Sequence, residues 1–125
     1  YNWYAVNTEK LCPAGWHVPS DTEWQTLVNN VGGYAEAGRS LKETGNEHWN
    51  IPNVENNRSG FTALGAGWRN INGSFAGFMD MAFFWTATQY DAGLAKENQL
   101  RNNTSGAEDE RVAKYYGLSI RCLKD

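Results

Sequence analysis

Two cysteines near opposite ends of the chain constrain its fold more than any other feature of the sequence. Cys12 and Cys122 are the only cysteines among 125 residues and lie 110 positions apart. They could be free thiols, part of a metal site, or a single disulfide. A zinc site needs about four ligands in short paired spacings, and only His17 and His48 could supplement the thiols, at spacings that fit no such pattern. The spacings therefore argue against a metal site.

The remaining alternatives are a reactive thiol and a structural bridge. A catalytic cysteine needs a nearby base and an electropositive setting, whereas Cys122 follows Leu118 and Ile120 in an apolar alternation. That setting is typical of a structural residue, so we expect a Cys12–Cys122 disulfide, with free thiols as the alternative. The bridge would stabilise the fold by about 4–5 kcal/mol in the chain-entropy model. It would also indicate an oxidising compartment outside the cytoplasm.

Length and charge exclude several classes of protein. The length fits one domain, 1–125, and 11 basic against 14 acidic residues give a net charge of -3, which argues against binding nucleic acid. The longest apolar run, Met81–Trp85, is far shorter than the roughly 20 residues of a spanning helix, so we expect no direct membrane insertion. Because the chain opens inside an apparent strand with no leader, we interpret it as the C-terminal module of a longer secreted protein.

The first half of the chain predicts helices followed by a long loop. We expect a strand at Tyr1–Val6, and a helix that begins with Ser20 as N-cap and Glu23 completing a capping box. Apolar residues then recur with helical spacing at Trp24, Leu27, Val28 and Val31. A shorter helix is expected at Tyr34–Glu43, and a surface excursion at residues 45–60.

The second half predicts strands. They are expected at Phe61–Arg69, Phe75–Phe78, Phe83–Thr88, Ala95–Arg101 and Tyr115–Leu123. Asn72 and Gly73 form a two-residue hairpin signal, the polar Ala95–Arg101 is typical of an edge strand, and residues 102–110 are predicted as a loop. The order predicts an α+β fold with two helices flanking a small, mainly antiparallel sheet with long loops.

Several segments together resemble a known family. The opening segment Leu11–Trp24, with its run Cys12-Pro13-Ala14-Gly15-Trp16-His17-Val18-Pro19-Ser20, is similar to the signature of the Fibrobacter succinogenes major paralogous domain. Further matches follow in order at Ser59–Phe61, Gly67–Arg69, Gly73–Phe75, Phe84–Thr88 and Tyr116–Asp125. The resemblance covers essentially the whole chain, and the family is found in secreted and surface proteins of bacteria.

The resemblance implies a C-type-lectin-like fold related to the formylglycine-generating, sulfatase-modifying branch. In such folds the termini lie together in a small sheet, and long loops over a second sheet present the ligand site. Some members are variable proteins of diversity-generating retroelements, whose surface residues mutate on a fixed scaffold. The chain lacks the Glu-Pro-Asn, Gln-Pro-Asp and Trp-Asn-Asp triplets of calcium-dependent sugar binding, so no cofactor is expected and calcium has no motif to support it. It also lacks the second thiol of the formylglycine-generating site.

Large aromatic and basic residues have structural explanations as well as functional ones. We expect Trp16, Trp24 and Trp85 to build the core, and His17 to be a satisfied core or turn residue. Arg121 is expected to be structural. Arg69 could bind a ligand, although pairing with an acid to brace its strand is slightly favoured.

The best candidates for ligand contact lie on predicted loops, where tyrosine, tryptophan and asparagine form the mixture used by loop-built binding surfaces. They are Trp68, Arg69, Asn70, Asn72, Asp80, Tyr90, Asp91, Arg101, Asn102, Tyr115 and Tyr116. We therefore expect a non-catalytic recognition domain at the cell surface or outside the cell, an adhesin or receptor-binding module for a protein or glycan. An enzyme of the sulfatase-modifying type and a purely structural surface module are the alternatives.

Overall fold

Three helices and seven strands make up the computed structural model, which describes residues 1–125. The helices are α1 (Trp3–Val6), α2 (Asp21–Asn30) and α3 (Ala37–Leu41). The strands are β1 (Trp16–His17), β2 (Ala66–Arg69), β3 (Phe75–Phe78), β4 (Met81–Gln89), β5 (Leu94–Arg101), β6 (Ala107–Ala113) and β7 (Leu123–Lys124). The predicted α+β class is confirmed. No helix is both long and apolar enough to cross a membrane.

Strands β2 to β6 form one sheet in the order β3-β2-β4-β5-β6, antiparallel except between β2 and β4. Successive β4 residues alternate between two cores. Ala82 and Phe84 pack on one side with residues of α2 and α3, whereas Phe83 and Trp85 pack on the other with α1. The sheet is therefore covered on both faces and separates two hydrophobic cores.

The local signals at α2 and at the β2–β3 hairpin are confirmed. The Ser20 hydroxyl accepts a hydrogen bond from the Glu23 amide at 3.3 Å, and Glu23 Oε2 accepts one from the Ser20 amide at 2.8 Å. This is the predicted capping box. In the hairpin, Gly73 has a φ of 89°, a conformation open mainly to glycine. Strand β3 returns over the predicted residues.

The start of the chain is helical, so the strand predicted at Tyr1–Val6 is wrong. The Asn2 side chain accepts a hydrogen bond from the Ala5 amide at 3.0 Å and caps α1. Trp3 and Val6 are three positions apart and both are buried. Burial three positions apart fits a helix, whereas a strand would bury alternate residues. The Asn2 cap is a second local signal for the helix.

Strand β5 is interior, so its prediction as an edge strand is also wrong. It pairs with β4 on one side and β6 on the other. Its polar residues Glu97 and Asn98 are buried together with Ala95 and Leu100. The loop predicted for residues 102–110 is shorter than expected because β6 begins at Ala107 and forms the outer edge.

The C-terminal segment carries less strand than predicted for Tyr115–Leu123. Only β7 is regular, and it pairs with β1, while Gly117 and Ser119 form isolated bridges to β2 and β4. The disulfide between Cys12 and Cys122 is confirmed, with their Cα atoms 5.8 Å apart. The bridge therefore joins the two segments that form the small terminal sheet, and it indicates an oxidising compartment.

Two of the three predicted core tryptophans are confirmed. Trp24 and Trp85 are 2% and 0% exposed, but Trp16 is 44% exposed. Trp16 lies on β1, and a two-stranded ribbon offers too little surface to cover a large ring.

Two buried lysines hold loops in place by donating hydrogen bonds to backbone carbonyl oxygens, and neither is paired with a carboxylate. Lys42 is 0% exposed, and its Nζ donates to the carbonyl oxygens of Arg101, Asn102 and Thr104 at 2.6, 3.3 and 2.9 Å. Burial lowers the pKa of Lys42 to about 8. Lys114 Nζ donates in the same way to the carbonyls of residues 91 and 92 and lies 4.6 Å from the Trp3 ring centroid. In both cases the ammonium group donates to carbonyl oxygens of loop residues, which have no neighbouring strand or helical turn to supply a backbone N–H.

Replacing Lys42 with Met should lower the free energy of unfolding by about 2 kcal/mol, because three carbonyls lose a charged donor while the cost of burying the ammonium is removed. Urea unfolding monitored by circular dichroism would measure the change. The matched control is Lys10→Met, since Lys10 is exposed, and it should change stability by less than about 0.5 kcal/mol. Equal effects of the two substitutions would contradict this role of Lys42.

Candidate functional site

Five of the eleven residues predicted to contact a ligand lie around the β2–β3 hairpin or against it. They are Trp68, Arg69, Asn70, Asn72 and Tyr116. Asn72 is in the turn, where its Oδ1 accepts hydrogen bonds from the amide and hydroxyl of Ser74 at 3.0 and 2.7 Å. Its side chain therefore shapes the hairpin tip.

Three other predicted residues meet at one end of the sheet and hold loops together. Asp80 Oδ1 accepts hydrogen bonds from Asn50 Nδ2 at 2.9 Å and from Asn102 Nδ2 at 3.4 Å. Arg101 pairs with Glu108, with Nε 3.2 Å from Oε1. Each of these polar groups thus has a partner within the protein.

The last three predicted residues lie beside the β4–β5 turn and α1. Asp91 Oδ1 accepts hydrogen bonds from the amides of Gly93 and Leu94, each at 2.7 Å, and so closes the turn. The exposed Tyr90 ring stacks under the Arg111 guanidinium, 4.5 Å away. Tyr115 is also exposed, and its ring centroid is 6.3 Å from that of Tyr4. The contacts therefore divide the predicted residues into three groups instead of one continuous rim.

Two adjoining cavities lie beside the hairpin, and together we call them the hairpin surface. The outer cavity measures about 280 Å³ and is lined by residues that include Tyr1, Arg69 and Phe75. The inner cavity measures about 320 Å³ and is lined by Trp68, Asn70, Phe83, Val112, Tyr116 and Leu118. Trp68 and Leu118 line both cavities. Aromatic rings, the Arg69 guanidinium and the Asn70 amide are thus concentrated at the hairpin surface.

Trp68 is held between the two cavities by its neighbours. Its ring meets Phe83 edge-on, with centroids 5.2 Å apart, and its Nε1 donates to Asn70 Oδ1 at 2.9 Å. The ring also lies over Gly77, where any Cβ atom would collide with it. Asn70 Nδ2 donates to Ser74 Oγ at 3.0 Å. The indole therefore presents a fixed aromatic wall.

Arg69 has a free guanidinium, so bracing by an acid is not its role. None of the seven ion pairs includes Arg69, and no side-chain hydrogen bond involves it. Its backbone does the bracing, since its amide donates to the Gly117 carbonyl at 2.8 Å and its carbonyl accepts from the Gly117 amide at 2.9 Å. The side chain remains available to an anionic or polar ligand group.

The sequence did not single out the exposed aromatic residues of the hairpin surface. Phe75 is 75% exposed and Tyr1 is 63% exposed, although phenylalanine is usually buried and tyrosine usually partly buried. Phe75 begins β3, the edge strand, which has only four residues. A four-residue strand at an edge cannot bury both of its faces, and that signal could have identified Phe75.

A second cleft surrounds His17, which the sequence predicted to be a satisfied residue. His17 Nδ1 is 2.6 Å from Asp125 Oδ1 and Nε2 is 3.1 Å from Glu23 Oε1. Hydrogen bonds to Asp125 and then to Glu23 raise the pKa of His17. Because both ring nitrogens are occupied, this histidine ties the small terminal sheet to α2. No group of three or more His, Cys, Asp or Glu side chains is arranged to hold a metal ion.

Comparisons with known proteins give one match. The family model described as the Fibrobacter succinogenes major domain matches residues 1–124, which confirms the resemblance seen in the sequence motifs. No curated protein and no solved structure matches the chain.

Proposed function

This chain belongs to the Fibrobacter succinogenes major domain family, and on that premise we propose that it is a non-catalytic extracellular ligand-recognition domain. The observation that carries the proposal is the hairpin surface. There a free guanidinium at Arg69 lies beside exposed aromatic side chains at Tyr1 and Phe75. Solvent-exposed aromatic rings cost solubility, and beside an unpaired charge they are typical of contact surfaces. We propose a protein or a glycan as the ligand.

The frame behind this surface supports recognition by a preorganised site. The backbone of Tyr1 pairs with that of Leu118, and the Trp85 indole donates to the Tyr1 carbonyl at 2.8 Å. The backbone of Gly117 is hydrogen-bonded to that of Arg69. The Cys12–Cys122 disulfide joins the same C-terminal segment to the N-terminal region. A surface held rigid in this way loses little entropy when a ligand binds.

The finer parts of the proposal concern the fold family and the biological role. The paired termini, the flanking helices and the loops over a second sheet are the arrangement expected of a C-type-lectin-like fold, and we propose that fold here. Both thiols are joined to each other, so the enzyme alternative lacks the reactive thiol it needs. A variable protein of a diversity-generating retroelement is the narrower proposal, and sibling sequences with substitutions confined to the loops after Gly67 would support it.

The test is binding of the purified domain to an array of glycans and to bacterial surface proteins, followed by affinity measurement on each hit. We expect Arg69→Gln and Phe75→Ser each to weaken binding about tenfold, because both side chains are free to contact a ligand at one surface. The matched controls are Arg58→Gln and Ile51→Ser, two exposed residues outside the hairpin surface. The proposal would be contradicted if the control variants weakened binding of a hit as much as the test variants do. Chemical turnover of any hit would contradict it as well.

A further inference from the structure

We propose that the outer cavity of the hairpin surface binds a sugar that carries a carboxylate. The Arg69 guanidinium holds the carboxylate, and the Phe75 ring packs against the sugar ring. This inference rests on the recognition function proposed above and names the class of ligand that the surface selects. It is supported by the pairing of Arg69 with Phe75, the path of the arginine side chain, the charge of the cavities and two free hydroxyl groups.

Arg69 and Phe75 lie on the same face of the β2–β3 hairpin. They are directly opposite each other in the antiparallel register, so their Cβ atoms leave the same face about 4.5–5.5 Å apart. Both residues line the outer cavity. The guanidinium makes no cation–π contact with any ring of the protein, and the Phe75 ring is largely exposed. One ligand can therefore contact the charge and the ring together.

Two glycines direct the Arg69 side chain along the surface. A Cβ atom added at Gly117 would lie 3.0 Å from the Arg69 Cβ and 3.8 Å from its Cγ and Cδ, so the aliphatic part of the side chain lies against Gly117. A Cβ atom at Gly73 would lie 3.0 Å from Nη2, which places the guanidinium beside the hairpin turn. An arginine packed along backbone in this way loses less conformational entropy on binding than one that extends freely into solvent.

The charge of the two cavities favours an anionic ligand. Arg69 is the only charged residue that lines either of them. Because the whole chain has a net charge of -3, a surface with one unpaired cation and no carboxylate differs from the protein as a whole. The guanidinium N–H groups match the two oxygens of a carboxylate, and this charge-assisted pair is stronger than a hydrogen bond between neutral groups.

Two free hydroxyl groups favour a sugar over an acidic peptide. Tyr1 and Ser119 both line the outer cavity, and both form hydrogen bonds only through backbone atoms. A sugar has hydroxyl groups around its edge, which can bond to these side chains, and C–H groups on its faces, which can pack on the Phe75 ring. An aspartate or glutamate side chain would use the guanidinium alone. The cavity of about 280 Å³ suits one sugar unit.

The test compares pairs of methyl glycosides that differ only in a carboxylate in place of a hydroxymethyl group. The uronides of glucose, galactose and mannose are each titrated beside the neutral sugar, and binding is followed through the backbone amide resonances of Arg69, Phe75 and Gly117. We expect at least one uronide to bind about tenfold more tightly than its neutral counterpart. Added sodium chloride should reduce this preference, because salt screens an exposed ion pair. Blocked glutamate, N-acetyl-glutamate methylamide, should bind about tenfold more weakly than the best uronide.

Three variants separate the contributions of charge and ring. Arg69→Gln should remove the preference, so that both sugars of a pair bind within about twofold of each other. Arg69→Lys keeps the charge without the paired N–H groups and should retain a preference of about threefold. Phe75→Ser should weaken both sugars of a pair by the same factor, about tenfold. The matched control Arg58→Gln removes an exposed arginine outside the hairpin surface and should change each affinity by less than about twofold.

Three results would overturn the inference. They are the absence of any preferred uronide, a preference that persists in Arg69→Gln, and blocked glutamate that binds as tightly as the best uronide. The last result would assign the cavity to an acidic peptide. Each of them leaves the proposed recognition function standing if the array hits still depend on Arg69 and Phe75, whereas hits that depend on neither residue would remove both proposals.

Discussion

Glu97→Gln should raise the free energy of unfolding by about 3 kcal/mol at pH 7 and change it little at pH 4. The unfolded chain ionises Glu97 above its ordinary pKa of 4.5, whereas the folded protein keeps the proton until the pKa of about 8. Between these values the folded state binds a proton that the unfolded state has released, so stability falls as pH rises. Each pH unit costs about 1.4 kcal/mol, and glutamine removes that cost while preserving the shape.

Urea unfolding of both proteins at pH 4, 6, 7 and 8 would measure this difference. Other groups with shifted pKa values, such as His17 and Glu23, are common to both proteins and cancel in the comparison. The matched control is Glu110→Gln, since Glu110 is exposed and should contribute less than about 1 kcal/mol. A gain that is the same at pH 4 and pH 7 would show that burial does not hold Glu97 in its neutral form.

A residue that lowers stability at neutral pH suggests a benefit elsewhere. Natural proteins commonly keep destabilising groups where a site needs them, and replacing such a group raises stability at the expense of function. A stability gain of Glu97→Gln would identify Glu97 as a group that is kept for a reason other than stability.

The parts of the fold set by neighbouring residues could be predicted from the sequence. Ser20 and Glu23 cap α2 through contacts three positions apart, and Asn72 with Gly73 supplies the backbone conformations of the hairpin. The cysteine pairing was also predictable, because two cysteines and no metal pattern leave few alternatives. In each case the deciding interaction is local or has few competitors.

The parts set by distant residues could not be predicted. Strand β5 looks like an edge because Glu97, Asn98 and Gln99 are polar, and only the pairing with β6 shows that they are buried. Lys42 looks like a surface lysine until three distant carbonyls surround it. The same holds for the candidate site, where Trp68 and Asn70 were identified but the cavities beside them were not. Burial of a charged residue depends on tertiary context that periodicity does not encode.

Removing the disulfide should have the largest effect of any change considered. Replacing both Cys12 and Cys122 with Ala reopens a loop that spans 110 positions, and the free energy of unfolding should fall by about 4–5 kcal/mol in the chain-entropy model. The loss should be concentrated in the β1–β7 ribbon, whose two residue pairs cannot hold the chain ends together alone. Urea unfolding and hydrogen exchange of the backbone amides would measure the global and the local effect.

The hairpin surface should remain formed in the double variant at low temperature, because its C-terminal wall has ties of its own. Gly117 exchanges two hydrogen bonds with Arg69, and Ser119 exchanges two with β4, its amide donating to Phe83 and its carbonyl accepting from Trp85. Affinity for a ligand of that surface should therefore fall by less than about threefold under conditions that keep the variant folded, even though its stability is much lower.

Wild-type protein treated with a reductant is the matched control and should reproduce both results. A stability loss below about 1 kcal/mol would show that the terminal sheet and core hold the chain ends without the bridge. Loss of affinity in a folded variant would show instead that the disulfide positions the binding surface itself.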